Sequence, residues 1–337
     1  MDCPDNEPER NEAVQHQRCR RRGGHRNRGA GFAFVGEAGA RRSERGGARG
    51  RAELGSETEF ATDEIAAQEL YWLEERISGG ETPTAFGSNN SGTGVGGSTL
   101  HWGAFVPRPD PRDLSVRTEF GAGADWPVSY KELLPYFEQV EDFLGVSGPA
   151  VYPWNTSRQY PLPAVGLNAP AEAMQRGFGA IGLRTSAAPI AAVSRDYERP
   201  GYPIRHACVN RGYCHQGCRN GAKASMDVTY LPVAVSAGAE IRADSFAHGL
   251  EMGNDGRIAA VVYEHEGVDV RQRCRAVFLC AGAVETPRLL LHCGGRDGSG
   301  LANSSGQVGR NFMAHVATQV WERSPRRCVR IRDSQPR

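Results

Sequence analysis

The stretch AVFLCAGAVETPRLLLH (276–292) joins an apolar run to a helix-like segment through a glycine. Its first part, AVFLC, is fully apolar and leads into small residues, which predicts a short buried strand. The following ETPRLLLHCG (285–294) predicts a helix. Because open α/β sheets hold nucleotides where a buried strand turns into a helix, the stretch predicts an α/β fold with part of a nucleotide-binding domain.

Three segments in this part of the chain predict strands, and the last of them contains AVFLC. EIRADSFAHGLEM (240–252), RIAAVVYEHEGV (257–268) and RQRCRAVFLCAGA (271–283) alternate or run apolar, with NDG and EG turns between them. The chain before residue 239 predicts helices instead, and the change of pattern divides it into an α+β region followed by strands.

Four segments carry the helical predictions. TDEIAAQELYWLEERI (62–77) has apolar residues at helical spacing after Thr62. Ser129 and Glu132 form a capping box for YKELLPYFEQVEDFLG, in which Pro135 is expected to kink the helix or shift its start. The other two helices are predicted over APAEAMQRGFGAIG (169–182) and around MDVTYLPVAVSAG (226–238).

The two ends of the chain differ from its middle. Residues 1–54 and 321–337 are rich in Arg and lack apolar periodicity, which predicts disordered coil apart from the short apolar run GFAFVG (31–36). A basic arm for nucleic acid is the alternative, but no aromatic residues are interleaved, so we expect no nucleic-acid partner. The middle divides into 55–238 and 239–320.

Charge and hydropathy exclude further classes of partner. The net charge of +1 provides no global field toward nucleic acid or an anionic membrane. No apolar run approaches the roughly 20 residues that span a bilayer, so no membrane-spanning segment is expected. The first residues lack the apolar core of a signal peptide, which predicts a cytoplasmic chain unless a partner exports it.

A glycine-rich loop, SGTGVGGSTLHWGAF (91–105), contains the string G-x-G-x-x-G from Gly92 to Gly97. A dinucleotide fingerprint needs a strand before it and a helix starting within it, and neither is predicted here. A flexible loop is therefore one interpretation. However, backbone N–H groups next to glycine approach a ligand closely, and His101 with Trp102 adds a polar ring and a stacking surface, as a large planar cofactor requires.

Three cysteines lie close together in CVNRGYCHQGC, with five and then three residues between them. Cys208, Cys214 and Cys218 could hold an iron–sulfur cluster, since a three-iron cluster needs only three thiolates. Alternatively, His206 or His215 could complete a tetrahedral zinc site. Free thiols or one local disulfide remain the third interpretation.

Four segments resemble motifs of the glucose-methanol-choline (GMC) flavoprotein oxidoreductases, in the order the family has them. Residues 92–105 resemble its first signature, and GAVETPRLLLHCG (282–294) resembles the second, with Cys293 in place of Ser. VGRNFMAH (308–315) is similar to its V-G-x-N-x-x-D-H stretch, with Ala314 in place of Asp. WPVSY (126–130) with its helix is also similar, so the resemblance covers about residues 55–320.

The resemblance implies a partial FAD/NAD(P)-binding, Rossmann-like domain with an intervening α+β substrate and cluster region. It implies FAD as cofactor and an alcohol, sugar or sugar acid as substrate, oxidised at a CH–OH group. The residues that it places at the flavin are Gly94, Gly96, Gly97, Ser98 and His101, then Ala281 and Gly282, with Phe246 and Ala247 near the adenine.

The cysteine-rich stretch also resembles the large subunits of bacterial FAD-dependent glucose and gluconate dehydrogenases. This likeness implies a 3Fe-4S cluster on Cys208, Cys214 and Cys218, which passes electrons from the flavin to a multihaem cytochrome c subunit. It also implies a small subunit that carries an export signal, and hence a periplasmic or membrane-associated location. With it, the cluster becomes the favoured interpretation of the three cysteines.

Two parts of the family pattern are not found in the sequence. The early G-x-G-x-x-G has only GAGFAFVG (29–36) as an approximation, with Phe34 in place of the third glycine. The family's catalytic His lies near its C-terminus, and His315 belongs to another motif, so no catalytic residue is assigned. We expect a truncated or frame-shifted chain of reduced or no activity, a non-catalytic remnant of the fold or a basic-tailed binding protein being the alternatives.

Overall fold

The computed structural model describes residues 91–152, 158–294 and 298–313, the strand 32–36, and residues 60, 70–72, 76–81 and 83. The chain divides into two units. The first contains the described residues within Met1–Glu53, Glu74–Gly97 and Arg242–Met313. The second contains those within Leu54–Leu73 and Ser98–Ile241.

The first unit contains two sheets. Its larger sheet is antiparallel and has three strands, β4 (Ser245–Met252), β5 (Ile258–His265) and β6 (Val268–Arg273), in that order. The first two predicted strands and the two turns are therefore confirmed, whereas the third predicted segment, 271–283, contains the end of β6 and the whole of a separate strand, Ala276–Cys280. A register shift between Ala247 and Gly249 interrupts the pairing of β4 with β5.

The second sheet of this unit pairs two segments far apart in sequence. Strand β7 (Ala276–Cys280) runs parallel to β1 (Phe32–Gly36), and the helix α5 (Gly282–His292) follows β7. The predicted strand, turn and helix are confirmed, and so is the α/β class. One detail was wrong: β7 is not fully buried, because β1 is its one partner among the described strands and Phe278 is 50% exposed.

Strand β1 adds to the predictions. Residues 32–36 belong to the short apolar run that was set apart from the coil predicted for residues 1–54, and no strand was predicted for that run. The strand forms because its backbone pairs with β7, residue by residue from Phe32 with Ala276 to Gly36 with Cys280. A partner so distant in sequence leaves no local signal. The remaining residues before position 60 and those after 313 lie outside the described residues.

The second unit is mostly helices and extended segments. Its elements are α1 (Val116–Phe120), α2 (Tyr130–Leu144), β2 (Ser147–Gly148), β3 (Leu162–Pro163), α3 (Ala169–Ala180) and α4 (Tyr230–Ser236). The capping box at the start of α2 is present, with the Ser129 side chain accepting from the Glu132 N–H and the Glu132 carboxylate from the Ser129 N–H. Pro135 lies inside α2 and does not shift its start.

The helix predicted over 62–77 is wrong where the structure describes it. Leu70 lies in a 3-10 turn, Tyr71 and Ile77 lie in β-bridges, and Trp72 and Arg76 have no regular structure. Leu70 is buried against Phe60 and Leu100. This packing with distant residues outweighs the local helical spacing.

Extended segments bring the candidate site residues of the second unit together. Ala191 donates its N–H to the Ala104 carbonyl at 2.7 Å, and Ala224 donates to the Ala191 carbonyl at 2.7 Å. The segments around residues 104, 191 and 224 therefore lie side by side, over a core that includes Leu144 and Val146. Within the part of the chain that the structure describes, no helix is long and apolar enough to cross a membrane.

Candidate functional site

The glycine-rich loop forms a tight turn. The Gly97 N–H donates to the Gly94 carbonyl at 2.8 Å, and a 3-10 helix runs from Gly97 to Leu100. Gly96 has a φ of 115°, a conformation that L residues with side chains rarely adopt, so glycine is required there. Ser91 to Gly94 are buried. The loop is therefore a compact turn, without a preceding strand among the described residues.

Arg76 connects this loop to the helix after β7. Its Nη2 donates to Ser91 Oγ at 2.9 Å, and its Nη1 donates to Glu285 Oε1 at 3.3 Å. Ser91 directly precedes Gly92, and Glu285 lies in the first turn of α5. The two segments that carry Gly94, Gly96 and Gly97 on one side and Ala281 and Gly282 on the other are thus joined in one unit.

The other residues of this unit that were predicted to contact the cofactor are Ala281, Gly282, Phe246 and Ala247. The Ala281 N–H is engaged with Thr286 Oγ1 at 3.1 Å, whereas Gly282 has a φ of 80° at the start of α5. Phe246 and Ala247 lie on β4, opposite Glu264 and Tyr263. The Ala247 side chain packs against the core around Leu250, Val261, Leu289 and Leu301. Contact of these residues with a cofactor stays a prediction.

His101 is the most distinctive of the predicted flavin residues. It is 9% exposed, and its ring packs edge-on against Tyr71 at 4.7 Å between centroids. Burial, then the nearby Lys223 and His215, lowers its pKa from 6.5 to about 4, so the imidazole is neutral at physiological pH. Its Nε2 is buried and has no hydrogen-bond partner among the described residues.

The side chains of His215 and Lys223, in the cysteine-rich region, hold the backbone around His101. Lys223 Nζ donates to the carbonyls of Leu100 at 2.7 Å and Trp102 at 3.2 Å. Between them, the His101 carbonyl is 2.9 Å from His215 Nδ1. Sequence reasoning missed Lys223. The rarity of lysine, found only at positions 131 and 223, could have drawn attention to it, but its burial has no sequence signal.

The cysteine loop places three free thiols near one another. Cys208, Cys214 and Cys218 are each partly buried. Burial raises the pKa of the Cys214 thiol, Lys223 opposes this, and the charges of Cys208 and Cys218 add to it. Cys218 Sγ accepts the Lys223 N–H at 3.4 Å. Cys208 and Cys218 are therefore close enough to Cys214 to influence the pKa of its thiol, and none of the three forms a disulfide.

Each histidine considered for a zinc site has one ring nitrogen engaged. His206 Nδ1 is 3.2 Å from Asp196 Oδ2 on the surface, and His215 Nδ1 faces the His101 carbonyl. Among the described residues, no group of three His, Cys, Asp or Glu side chains is placed to hold one metal ion. The cluster, the zinc site and the free thiols all stay predictions.

The burial of neutral His101 predicts a pH dependence of stability. Its folded pKa of about 4 lies below the unfolded value of 6.5, so the unfolded chain takes up a proton first as the pH falls between them. Stability should therefore fall by up to about 3 kcal/mol from this group over that interval. Urea unfolding near pH 7 and again near pH 4.5 measures this effect. The free energy of unfolding should fall less between the two pH values in His101→Gln than in the wild type. An equal loss in both would contradict this.

Two adjacent residues carry a buried nitrogen that has no hydrogen-bond partner in the described part of the chain. These nitrogens are His101 Nε2 and Trp102 Nε1. Since nearly all buried polar atoms in proteins have a partner, two adjacent ones indicate a place where a ligand or water completes the site.

Most of the chain matches one family of known proteins. The family model described as GMC oxidoreductase matches residues 77–317. The chain is 33% identical over 237 residues to the fructose dehydrogenase large subunit of Gluconobacter japonicus, covering 66% of this chain and 41% of that protein.

Two other relatives match to a similar extent. The 2-methyl-1,2-propanediol dehydrogenase of Mycolicibacterium austroafricanum is 30% identical, over 66% of this chain and 40% of its own length. The gluconate 2-dehydrogenase flavoprotein of Pantoea cypripedii is 29% identical, over 66% and 41%. The chain thus spans about two fifths of the length of these relatives. Because the family model covers well over half of the chain, this protein belongs to the GMC oxidoreductase family.

Proposed function

We propose that this chain is part of an FAD-dependent oxidoreductase that acts on the CH–OH group of a sugar, polyol or sugar acid. The observation that carries the proposal is the buried, neutral imidazole of His101, whose Nε2 has no partner among the described residues, within the segment that matches the family. The names of the relatives, which include fructose, gluconate and a propanediol, support this class of substrate.

When bound, FAD supplies the hydride acceptor, while the hydroxyl proton of the substrate passes to a base. The residues of this chain would hold and orient the cofactor. His101 and Trp102 would offer uncharged nitrogens to its polar edge, and Ser98 a hydroxyl. Gly94, Gly96 and Gly97 would let the backbone approach closely, as would Gly282 at the start of α5. No described residue is assigned as the base.

Titration of the full chain with FAD tests the proposal. Binding should quench flavin fluorescence. His101→Gln should weaken the binding, because the substitution removes the imidazole nitrogen that is proposed to contact the flavin. His206→Gln is the matched control, since His206 lies on the surface beside Asp196. No flavin binding by the folded wild-type chain, or equal binding by both variants, would contradict the proposal.

We extend the proposal to a 3Fe-4S cluster on Cys208, Cys214 and Cys218. In such a cluster each thiolate bonds a different iron, so the thiols need not meet at a single ion. Three free thiols on one loop, with a lysine beside them, support this. The electrons would then pass to a cytochrome c partner, and a small exported subunit would accompany the chain. One relative, the fructose dehydrogenase large subunit, is itself a subunit of a larger enzyme, which supports such an assembly.

Assays for iron and acid-labile sulfide after anaerobic purification test the cluster. We expect both in the wild type, both lost in Cys214→Ser, and both kept in Cys274→Ser, since Cys274 packs in the core of the other unit. Zinc without sulfide, or equal iron in the two variants, would overturn the cluster but not the flavin proposal.

A further inference from the structure

Lys223 is a buried cation whose ammonium, among the described residues, hydrogen-bonds only to backbone carbonyls. Its side chain is among the largest that are fully buried, and the residue is 1% exposed. Its ammonium donates to three carbonyl oxygens, those of Leu100 at 2.7 Å, Trp102 at 3.2 Å and Cys214 at 2.7 Å. These use all three donors of the group. A buried lysine usually pairs with a carboxylate, and among the described residues Lys223 forms no salt bridge.

The three carbonyls belong to two different segments. Leu100 and Trp102 lie in the segment 99–103, which we call the His101 segment, and Cys214 lies in 214–226, the cysteine segment. Two further bonds join them, from His215 Nδ1 to the His101 carbonyl at 2.9 Å and from the Met226 N–H to Thr99 Oγ1 at 2.9 Å. Three consecutive carbonyls of the His101 segment are therefore held from the cysteine segment.

The fit between the segments leaves little room for independent movement. A Cβ on Gly103 would lie 3.2 Å from the His215 ring, closer than most real contacts. Tyr71 also touches both segments, with its hydroxyl donating to the His215 carbonyl at 3.2 Å and its ring against His101. A displacement of either segment thus requires breaking the bonds to Lys223 or displacing these rings.

The charge of Lys223 also lies where the two segments meet. After burial, it is the next largest cause of the lowered pKa of His101. Its Nζ is 2.7 Å from the Cys214 carbonyl oxygen. One cation therefore lies close to the imidazole and to the cysteine segment.

We propose that Lys223 is a positioning residue that holds the His101 segment and the cysteine segment as one cooperative unit, so that events at the thiols are transmitted to the His101 ring. The significance of this for a flavin rests on the proposed function. The coupling itself is a property of the chain and can be measured without flavin. Its failure is thus distinguishable from a failure to bind FAD.

Hydrogen exchange of the full chain measures the coupling. In Lys223→Met, which keeps the length and loses the three hydrogen bonds, amides of both segments should exchange at least about tenfold faster, because a hydrogen bond to a charged group contributes about 1.5–3 kcal/mol. Lys131→Met is the matched control, since Lys131 is the other lysine and is exposed on α2. It should leave both segments unchanged.

A second readout separates positioning from simple packing. In chains with labelled histidine, assigned through His101→Gln, the His101 imidazole should titrate nearer its usual pKa in Lys223→Met. Lys223→Gln, whose amide can still donate to carbonyls, should restore much of the slow exchange but not the lowered pKa of His101. A packing defect alone would not separate the effect on amide exchange from the effect on the His101 pKa in this way.

Three results would overturn the proposal. The first is faster exchange in only one of the segments, and the second is the same exchange in Lys223→Met and Lys131→Met. The third needs no variant and applies even where Lys223→Met does not fold. In the wild type, exchange in low denaturant should show both segments opening with the same dependence on denaturant, and separate openings would refute a single unit.

Discussion

Replacing Arg108 with methionine is expected to lower the free energy of unfolding by about 3–5 kcal/mol. Arg108 is 3% exposed, and its guanidinium binds Glu141 with two bonds, Nε to Oε1 at 2.7 Å and Nη2 to Oε2 at 2.8 Å. Glu141 lies on α2 and is itself 5% exposed. Without the guanidinium, a buried carboxylate would lose its main partner.

The surroundings of Glu141 set the size of this effect. Arg158 Nη2 is 3.4 Å from Glu141 Oε2, and its side chain is partly exposed, so it can compensate for part of the lost charge. The loss should therefore lie toward the lower end of the range. Replacing the whole pair, as Arg108→Met with Glu141→Leu, should recover most of the stability, because no unpaired charge remains buried.

Urea unfolding followed by circular dichroism checks this result. Arg112→Met is the matched control, because Arg112 binds Asp110 at 2.6 Å but its side chain is 61% exposed. An exposed ion pair contributes about 0–1 kcal/mol, so this variant should change stability little. If Arg108→Met and Arg112→Met proved equally stable, the buried pair would not have the role assigned to it.

The elements that sequence predicted are those with local signals. Helix α2 was predicted from the capping box at Ser129 and Glu132, and β4, β5 and β7 from apolar patterns and turns. Each of these signals lies within or beside its own element. The prediction over 62–77 relied on helical spacing alone, and it was wrong because the contact of Leu70 with Phe60 and Leu100 determines the backbone there.

The features that sequence could not predict depend on distant partners. Strand β1 needs β7, more than 200 residues later in the chain, and Lys223 needs carbonyls from the His101 segment. Motif resemblance predicted which segments carry the candidate site. It could not predict that the His101 carbonyl faces His215, or that a lysine without a salt bridge lies between the imidazole and the thiols.

Replacing Gly217 with alanine is expected to destabilise the cysteine loop by about 3 kcal/mol or more. Gly217 has φ 91° and ψ 158°, a region that is essentially restricted to glycine. In addition, a Cβ there would lie 2.4 Å from Cγ of Phe60, well inside contact distance. Phe60 is 2% exposed and packs against Leu70 and Leu100, so its ring cannot move aside without disturbing that core.

Gly212→Ala separates these two causes. Gly212 lies in the same loop with φ 79°, and a Cβ there would have no atom within 4 Å, so this variant carries the backbone cost alone, about 1 kcal/mol. Denaturant unfolding of the two variants gives the combined excess due to the ring and to the glycine-restricted backbone of Gly217, and Phe60→Leu in the Gly217→Ala background should recover the part due to the ring. If the two alanine variants were equally stable, the close approach of Gly217 to Phe60 would not constrain the loop. Recovery by Phe60→Leu would instead show that this contact fixes the backbone between Cys214 and Cys218.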